Sequence, residues 1–553
     1  MSVFLQELNR YRHKTQGRNW LYVPYDQLSD RKGPLSREDP DTLGIIIIES
    51  PWKASLRPYH KQKLAFIISN TRHFALEQAQ RGIAVRHVIS KGPFHTALEP
   101  LFAELGKIRV MEPAERELRK DLERISGKGG LEIIPNEFWL TDRNQFTETR
   151  AQPPWRMDSF YRGIRRKSGL LMKEGKPVGG RFSFDSENRK AWKGSPEPPE
   201  PPVFPDDPVK QEVQRLIEDK FFKHPGKLDM GRMPSTLQDA IALWSWAKRE
   251  CLASFGTWED AMSTRSTGLF HTRISSLLNL NRITPSMLVS DAADMDIGMN
   301  SKEGFIRQII GWREFVRHVH YHTDGFRNNV NTISGHEKET GDGGYRRWSG
   351  HRWKSPDSKC VPDAGASPNL LGSANHIPPL FWGAKSGLAC VDFTISGVWD
   401  EAYGHHITRL MILLNLATLL DVIPRELADW FWVSYSDAYD WVVEPNVLGM
   451  GTYSTGEIMT TKPYVSGAAY INRMSDFCRK CAFNPGSNCP FTPLYWAFME
   501  RHKDKLRKNA RMSIALASLS KRENARKSYD RDIYKRAVEI LSNGGELTPE
   551  KLA

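Results

Sequence analysis

LGIIIIES, residues 43–50, carries four consecutive isoleucines with no polar residue among them. A strand with one wet face alternates apolar and polar side chains, so an unbroken apolar run belongs to a strand covered on both faces. A parallel sheet between layers of helices meets that condition. Its neighbours supply the rest: NWLYVPYD (19–26), IAVRHVIS (83–90), KIRVMEP (107–113) and LEIIPNE (131–137) are further short apolar runs, and KQKLAFIISNTRHFALEQAQ (61–80) between them reads as a helix. The alternation predicts an α/β domain with a parallel sheet within residues 1–145, a span that includes an N-terminal extension. No G-x-G-x-x-G follows a strand, so an ordinary dinucleotide site is unsupported there.

Downstream the pattern changes. GSPEPPEPPVFPDDP (194–208) is too rich in proline for a helix or a central strand, and it reads as extended chain closing a connecting segment, 146–207. From 208 to 520, apolar residues recur at three- and four-residue spacing in KQEVQRLIEDKFF (210–222), TLQDAIALWSWAKRECLASF (236–255), KEGFIRQIIGWREFVRHVHYH (302–322) and HHITRLMILLNLATLL (405–420). These predict a predominantly helical second domain. Residues 324–375 turn to Gly, Ser, Asn and basic residues and read as an exposed insertion, and 521–553 as a C-terminal tail.

A formal net charge of +13 favours a polyanionic partner, because clustered Lys and Arg release phosphate counterions on binding. Charge alone does not prove it, since many basic proteins carry only a solvated positive face. No apolar run approaches the roughly 20 residues that span a bilayer. The start, MSVFLQELNRYRHK, lacks the apolar core of a secretory signal. A soluble cytoplasmic protein with no membrane partner is expected, and it is expected to be a monomer.

FCRKCAFNPGSNCP (477–490) places Cys478, Cys481 and Cys489, three of the six cysteines, within twelve residues. A C-x2-C turn lets two thiolates converge on one metal centre, and Pro490 directly after Cys489 is typical of iron–sulfur loops. The fourth ligand is not local. Cys251, Cys360 and Cys390 are the candidates, and the spacing leaves zinc and iron–sulfur both open.

Two helical stretches mix polar residues into apolar surroundings. LFHTRISSLLNLNRITP (269–285) offers Arg273, Ser275, Ser276 and Asn279 to a diphosphate and a polar ring edge; EGFIRQIIGWREFVR (303–317) sets Gln308, Trp312 and Arg313 on or near one helical face. Each alone is more simply a packing or surface residue. Together with seventeen tryptophans they fit a helical domain enclosing an aromatic cofactor.

The strings FYRGIRRKSGLLMKEGKPVGGRFSFDSENRKAW, EGFIRQIIGWREF, EAYGHHITRLM, WVSYSDAYDWVVEPNVLGM, TKPYVSGAAYI, RMSDFCRKC and CPFTPLYWAF resemble those of the iron–sulfur bacterial cryptochromes and photolyases, the prokaryotic (6-4) photolyases. The resemblance runs over nearly the whole chain. It implies an α/β antenna domain, an all-helical domain holding bent FAD, a [4Fe–4S] cluster and UV-damaged DNA as partner. The implied fourth cluster ligand is Cys390, which ends PPLFWGAKSGLAC (378–390). The implied activity is light-driven repair of (6-4) pyrimidine–pyrimidone photoproducts by an electron from excited FADH⁻; the alternative is a blue-light cryptochrome photoreceptor of the same family.

By that resemblance His406 is the proton donor, with His405 and Arg409 orienting it or touching the lesion; a histidine suits the task because its pKa lies near working pH. Trp382 and Trp430 match the relay that reduces the flavin, with Phe431 where some relatives carry tyrosine. Arg273, Ser275, Asn279, Gln308, Trp312, Arg313 and Asn446 match flavin contacts, and Met450, Tyr464 and Tyr470 the lesion or DNA side. For the antenna, a 6,7-dimethyl-8-ribityllumazine site, the matches are Asp26, Gln27 and Glu49. Here the chain departs most: Tyr25 stands where the family usually has glycine, and Trp52 and Lys53 follow Glu49.

Overall fold

The computed structural model describes residues 2–127, 129–328, 337–338 and 365–553. Five strands, β1 (Asn19–Tyr22), β2 (Leu43–Glu49), β3 (Ala84–Ile89), β4 (Ile108–Met111) and β5 (Leu131–Ile134), form one sheet in the order β3-β2-β1-β4-β5. All four pairings are parallel, with Leu21 opposite Ile45 and Ile45 opposite Val85. The isoleucine run explains the layering. Every residue of β2 is buried. Ile46 and Ile48 face a core shared with Trp20, Tyr22 and the helix Arg116–Ser126, while Ile45 and Ile47 face the opposite core, shared with the helix Lys61–Gln80. At about 25 cal/mol per Å² of apolar surface, burying an isoleucine contributes roughly 2 kcal/mol, so this strand anchors both layers.

The second of those cores runs on without a break into the helices that follow, which is why the sheet and the helical part are packed as one body. The helix Lys61–Gln80 is the seam. Its Lys63 ammonium donates to the Trp432 carbonyl, Asn70 to that of Pro234, and Arg282 reaches back to Glu77. Residues 195–206 contain no helix or strand, as their prolines dictate.

Three segments differ from the sequence reading. The connecting segment 146–207 contains a full helix, Met157–Ser168, with Phe160, Tyr161 and Ile164 buried. The tail 521–553 is no loose end: Asn524–Ser542 is a helix that puts Ile533, Ala537 and Leu541 into the main core. Most of the insertion 324–375, with Cys360, lies outside the described residues; its closing part is built in, with Ala366 buried and Asn375 paired with Asp421 and Ile423. No helix among the described residues is long and apolar enough to cross a membrane.

Candidate active site and metal centre

A cavity of about 1020 Å³ lies in the helical part. Three helices widen into π-type turns where they line it: Arg307–Arg313, Thr408–Leu414 and Glu444–Gly451. An extra residue per turn shifts side chains out of their regular rows, a distortion that recurs at functional sites. The turns bring Gln308, Trp312 and Arg313, then Arg409, then Asn446 and Met450 to one space. Arg273, Ser275, Asn279, His405, His406, Tyr464 and Tyr470 complete the same wall, so thirteen residues read from separate strings share one cavity.

Several of these groups have bonding capacity to spare. Arg313 is packed over the Trp139 ring at 4.2 Å and donates through Nε to Asn279 Oδ1, while its Nη1 is buried without a hydrogen-bond partner among the described residues. Burial pulls its guanidinium down to about 10. Glu314 Oε1 lies 3.7 Å from that Nη1 and balances its charge, which leaves a donor open to an acceptor-rich ligand. Asn279 and Asn446 anchor their amide nitrogens on the carbonyls of Asp437 and Val442. Arg273 holds a left-handed backbone (φ 56°), donates to Glu401 and Thr267, and lies over Tyr403. These donors suit FAD: an aromatic and apolar wall, amides at the ring edge and guanidinium groups for charge.

His405 and His406 meet a third histidine that the sequence reading passed over. His271 stacks on His405 (centroids 4.5 Å, interplanar 14°) and stands edge-on to His406 at 5.3 Å. Among the described residues this is the one group of three His, Cys or acidic side chains whose ligand atoms lie within 4.8 Å of one another. Lone pairs of stacked rings run parallel instead of converging, which suits proton handling better than metal coordination. Burial pushes His271 down to about 3 and His405 far below its usual range. Both are therefore neutral, and His271 Nε2 donates to the Glu259 carbonyl. His406 is different: its side chain is 41% exposed at the cavity mouth, 3.8 Å from Asp260.

Arg409 sets the turn that carries the pair. Its guanidinium donates to both Asp437 oxygens (3.0 and 2.9 Å) and to the Gly404 carbonyl (2.7 Å), and lies 4.0 Å over Tyr435. Burial opposes ionisation of Asp437, yet Arg409 holds that carboxyl below its usual range. The arginine is thus committed to orienting the histidine turn.

Cys390, Cys478, Cys481 and Cys489 line a single small space with Leu388, Ala468, Ile471, Phe477, Phe483 and Phe491. Four thiols around one space suit a tetrahedral zinc or an iron–sulfur cluster. Burial and the three neighbouring thiols push the Cys390 thiol far up, so the quartet ionises readily only with a cation to neutralise it. Cys251 is buried elsewhere, against the His271 carbonyl.

Comparison with known proteins fixes the family. Residues 21–232 match the family described as deoxyribodipyrimidine photo-lyase-related protein. Over 513 residues the chain is 33% identical to the (6-4) photolyase of Agrobacterium fabrum, covering 89% of this chain and 94% of that protein. The chain belongs to the photolyase family. Two solved photolyases are also similar, each at 14% identity and a TM-score of 0.49. One is the bacterial class III photolyase of Agrobacterium tumefaciens, with 80% of each chain covered; the other is the archaeal photolyase of Sulfolobus tokodaii, with 94% and 99% covered.

Trp382 and Trp430, the tryptophans expected to relay electrons, do not line the cavity themselves. Phe431 lines it, and Trp430, fully buried, stands edge-on to Phe431 at 5.0 Å. Trp399 lies next, 6.2 Å from Trp430 and 5.1 Å from Trp382, so it fills the interval between the two expected positions. Both Trp399 and Trp430 donate their indole N–H to the Phe381 carbonyl, which fixes their rings. The sequence reading missed Trp399 in GVWDEAYGHH; no local pattern marks it.

The residues expected at an antenna site divide between a cavity and the packing beside it. A cavity of about 450 Å³ opens beyond the carboxyl ends of the strands, lined mainly by the segment after β2, with Tyr25 from the loop after β1 and Glu115 from the loop after β4. Of Asp26, Gln27 and Glu49 only Glu49 lines it. Glu49 is committed to Arg72 and His87 and held down to about 2, against the opposing effect of burial. Gln27 donates to the Met111 carbonyl, and Asp26, raised by burial to about 6, accepts from the Ala114 N–H. Tyr25 fills the expected glycine position and stacks on Tyr439. The groups left for a ligand are Tyr25 Oη, Tyr439 Oη and Glu115 Oε2, which line this cavity and lack hydrogen-bond partners among the described residues.

Proposed function

We propose that this photolyase repairs (6-4) photoproducts in DNA under blue light, with His406 as the proton donor. The observation that carries the reading is the half-exposed His406 at the mouth of the 1020 Å³ cavity, backed by two buried histidines that are held neutral. Reduced FAD, when bound, supplies the electron that opens the lesion under light. The chain supplies the rest. Arg313, Asn279, Asn446, Gln308, Trp312, Arg273 and Ser275 hold and orient the flavin; Met450, Tyr464 and Tyr470 wall the side where a flipped base pair enters. Arg409 and Asp437 hold the histidine turn, and His406 delivers a proton to the lesion while His405 and His271 exclude water behind it. Trp382, Trp399 and Trp430, in that order, would pass electrons from a soluble external reductant inward toward an oxidised flavin.

The four cysteines hold a [4Fe–4S] cluster that clamps the helix Ala389–Glu401 to the loop before Phe491–Leu506. The 450 Å³ cavity holds the antenna chromophore, a lumazine, through Tyr25, Tyr439 and Glu115. Trp432 faces that cavity and the adjacent Phe431 faces the flavin cavity, so one turn of helix separates them. Blue-light treatment of oligonucleotides carrying a (6-4) lesion or a cyclobutane dimer, with flavin photoreduction followed in parallel, tests the reading. Restoration of the (6-4) strand is expected. A protein that photoreduces its flavin and leaves both lesions intact is a photoreceptor, and the proposal fails.

A further inference from the structure

The segment Lys505–Arg522 contains Lys505, Arg507, Lys508, Arg511, Lys521 and Arg522 and no acidic residue. Lys505 is spent on the Leu371 carbonyl and Arg522 on Asp530. The exposed Arg507, Lys508, Arg511 and Lys521 form no ion pair with a described residue. Within this stretch the helix Ser513–Ser520, SIALASLS, bears no charge at all. Met512 and Leu519 are buried and pin it down. The opposite face presents Ile514, Ala517 and Ser518, and Ile514 is 82% exposed, more than any other large apolar side chain among the described residues.

This face adjoins the active cavity. Asn509, just before the helix, donates to the Thr461 carbonyl and the Tyr453 hydroxyl, and Thr461, Lys462, Arg473 and Arg511 line the cavity mouth. A lone exposed isoleucine on a small-residue face, flanked in sequence by cations that form no ion pair with a described residue, matches a polyanion whose interior is apolar. Duplex DNA is such a partner: its phosphates meet the cations, Ala517 and Ser518 let the backbone approach closely, and an apolar side chain enters between base steps. A base pair that leaves the stack for the cavity opens a gap beside it, and a wedge in that gap offsets the lost stacking.

We propose that Lys505–Arg522 is the surface on which the duplex flanking the lesion lies, with Ile514 as the wedge that fills the gap left by the extruded pair. The inference rests on the repair reading and extends it to the duplex outside the cavity. The test is equilibrium binding of the full-length holoprotein to a duplex with one (6-4) lesion, the undamaged duplex, and the single strand with and without the lesion, over a salt series. Arg507→Ala with Lys508→Ala is expected to weaken both duplexes and to lower the slope of log K against log salt by about two. Ile514→Ala is expected to weaken the damaged duplex by roughly tenfold and to leave the damaged single strand unchanged, because only the duplex has a gap to fill. A wild-type salt slope in the double variant overturns the surface. Wild-type affinity of Ile514→Ala for the damaged duplex overturns the wedge, and a change in self-association alone assigns the face to a second copy and overturns both. Equal wild-type affinity for damaged and intact single strands marks failure of the repair reading itself and takes the inference with it.

Discussion

At the residue scale the account turns on histidines in two environments. His60, His224, His271 and His318 are buried, and burial pushes them down to about 4, 4, 3 and 2. The unfolded chain takes up protons at each near pH 6.5, which the native state refuses, so stability is full above that pH and falls as the solution is acidified. At pH 5 each histidine costs about 2 kcal/mol. Thermal unfolding is expected at a lower midpoint at pH 5 than at pH 7.5, with the gap narrowed in His318→Gln, whose amide can still meet Thr141 Oγ1 as His318 Nε2 does. Equal midpoints in the wild type would contradict the assignment. One of the three cavity histidines was invisible in the sequence: His405 and His406 are adjacent, whereas His271 lies 134 positions before His405, and stacking at that distance leaves no local signal.

At the element scale the aromatic relay and the cysteine quartet make separate demands. Trp399→Phe keeps the packing against His60, where the two rings stack at 5.7 Å, but raises the energy needed to oxidise the middle carrier. Photoreduction of the oxidised flavin is expected to slow to a small fraction of its wild-type rate, while repair started from chemically reduced enzyme is unaffected. Unchanged photoreduction would show that electrons pass from Trp382 to Trp430 without it. Cys390→Ser is expected to remove the broad visible absorption of the cluster and to lower the unfolding midpoint, since ligand binding to a site absent from the unfolded chain is folding free energy. A colourless wild type that retains stoichiometric zinc would overturn the iron assignment. The spacing C-x2-C-x7-C marked three of the cysteines that share one space because its constraint is local; Cys390, nearly ninety residues earlier, came only through resemblance.

At the scale of the whole molecule the sheet was the most legible part. Buried parallel strands demand apolar runs, and LGIIIIES, IAVRHVIS and KIRVMEP announce themselves; β1 and β2 pair in register over residues 19–22 and 43–46. Segments whose burial depends on distant partners were not legible. Asn524–Ser542 is charged on most of its surface, and its three buried apolar residues reveal a core helix only once Phe491–Leu506 is there to receive them. The 450 Å³ cavity proposed for the antenna shows the same limit: its residues with an unpartnered oxygen, Tyr25, Tyr439 and Glu115, come from three distant segments. Chromophore release is therefore expected in Tyr439→Phe with Glu115→Gln, measured as loss of lumazine fluorescence from the purified protein, while Gln27→Ala alters stability more than occupancy.

The measurement that bears most directly on the central claim is repair by His406→Ala. General acid catalysis contributes typically 10²–10⁴-fold, so the variant is expected to lose about that factor in restoration of a (6-4)-containing oligonucleotide under blue light while it binds the lesion and photoreduces its flavin as the wild type does. Repair at the wild-type rate would contradict the assignment of His406, and with it the role given to the two neutral histidines behind it.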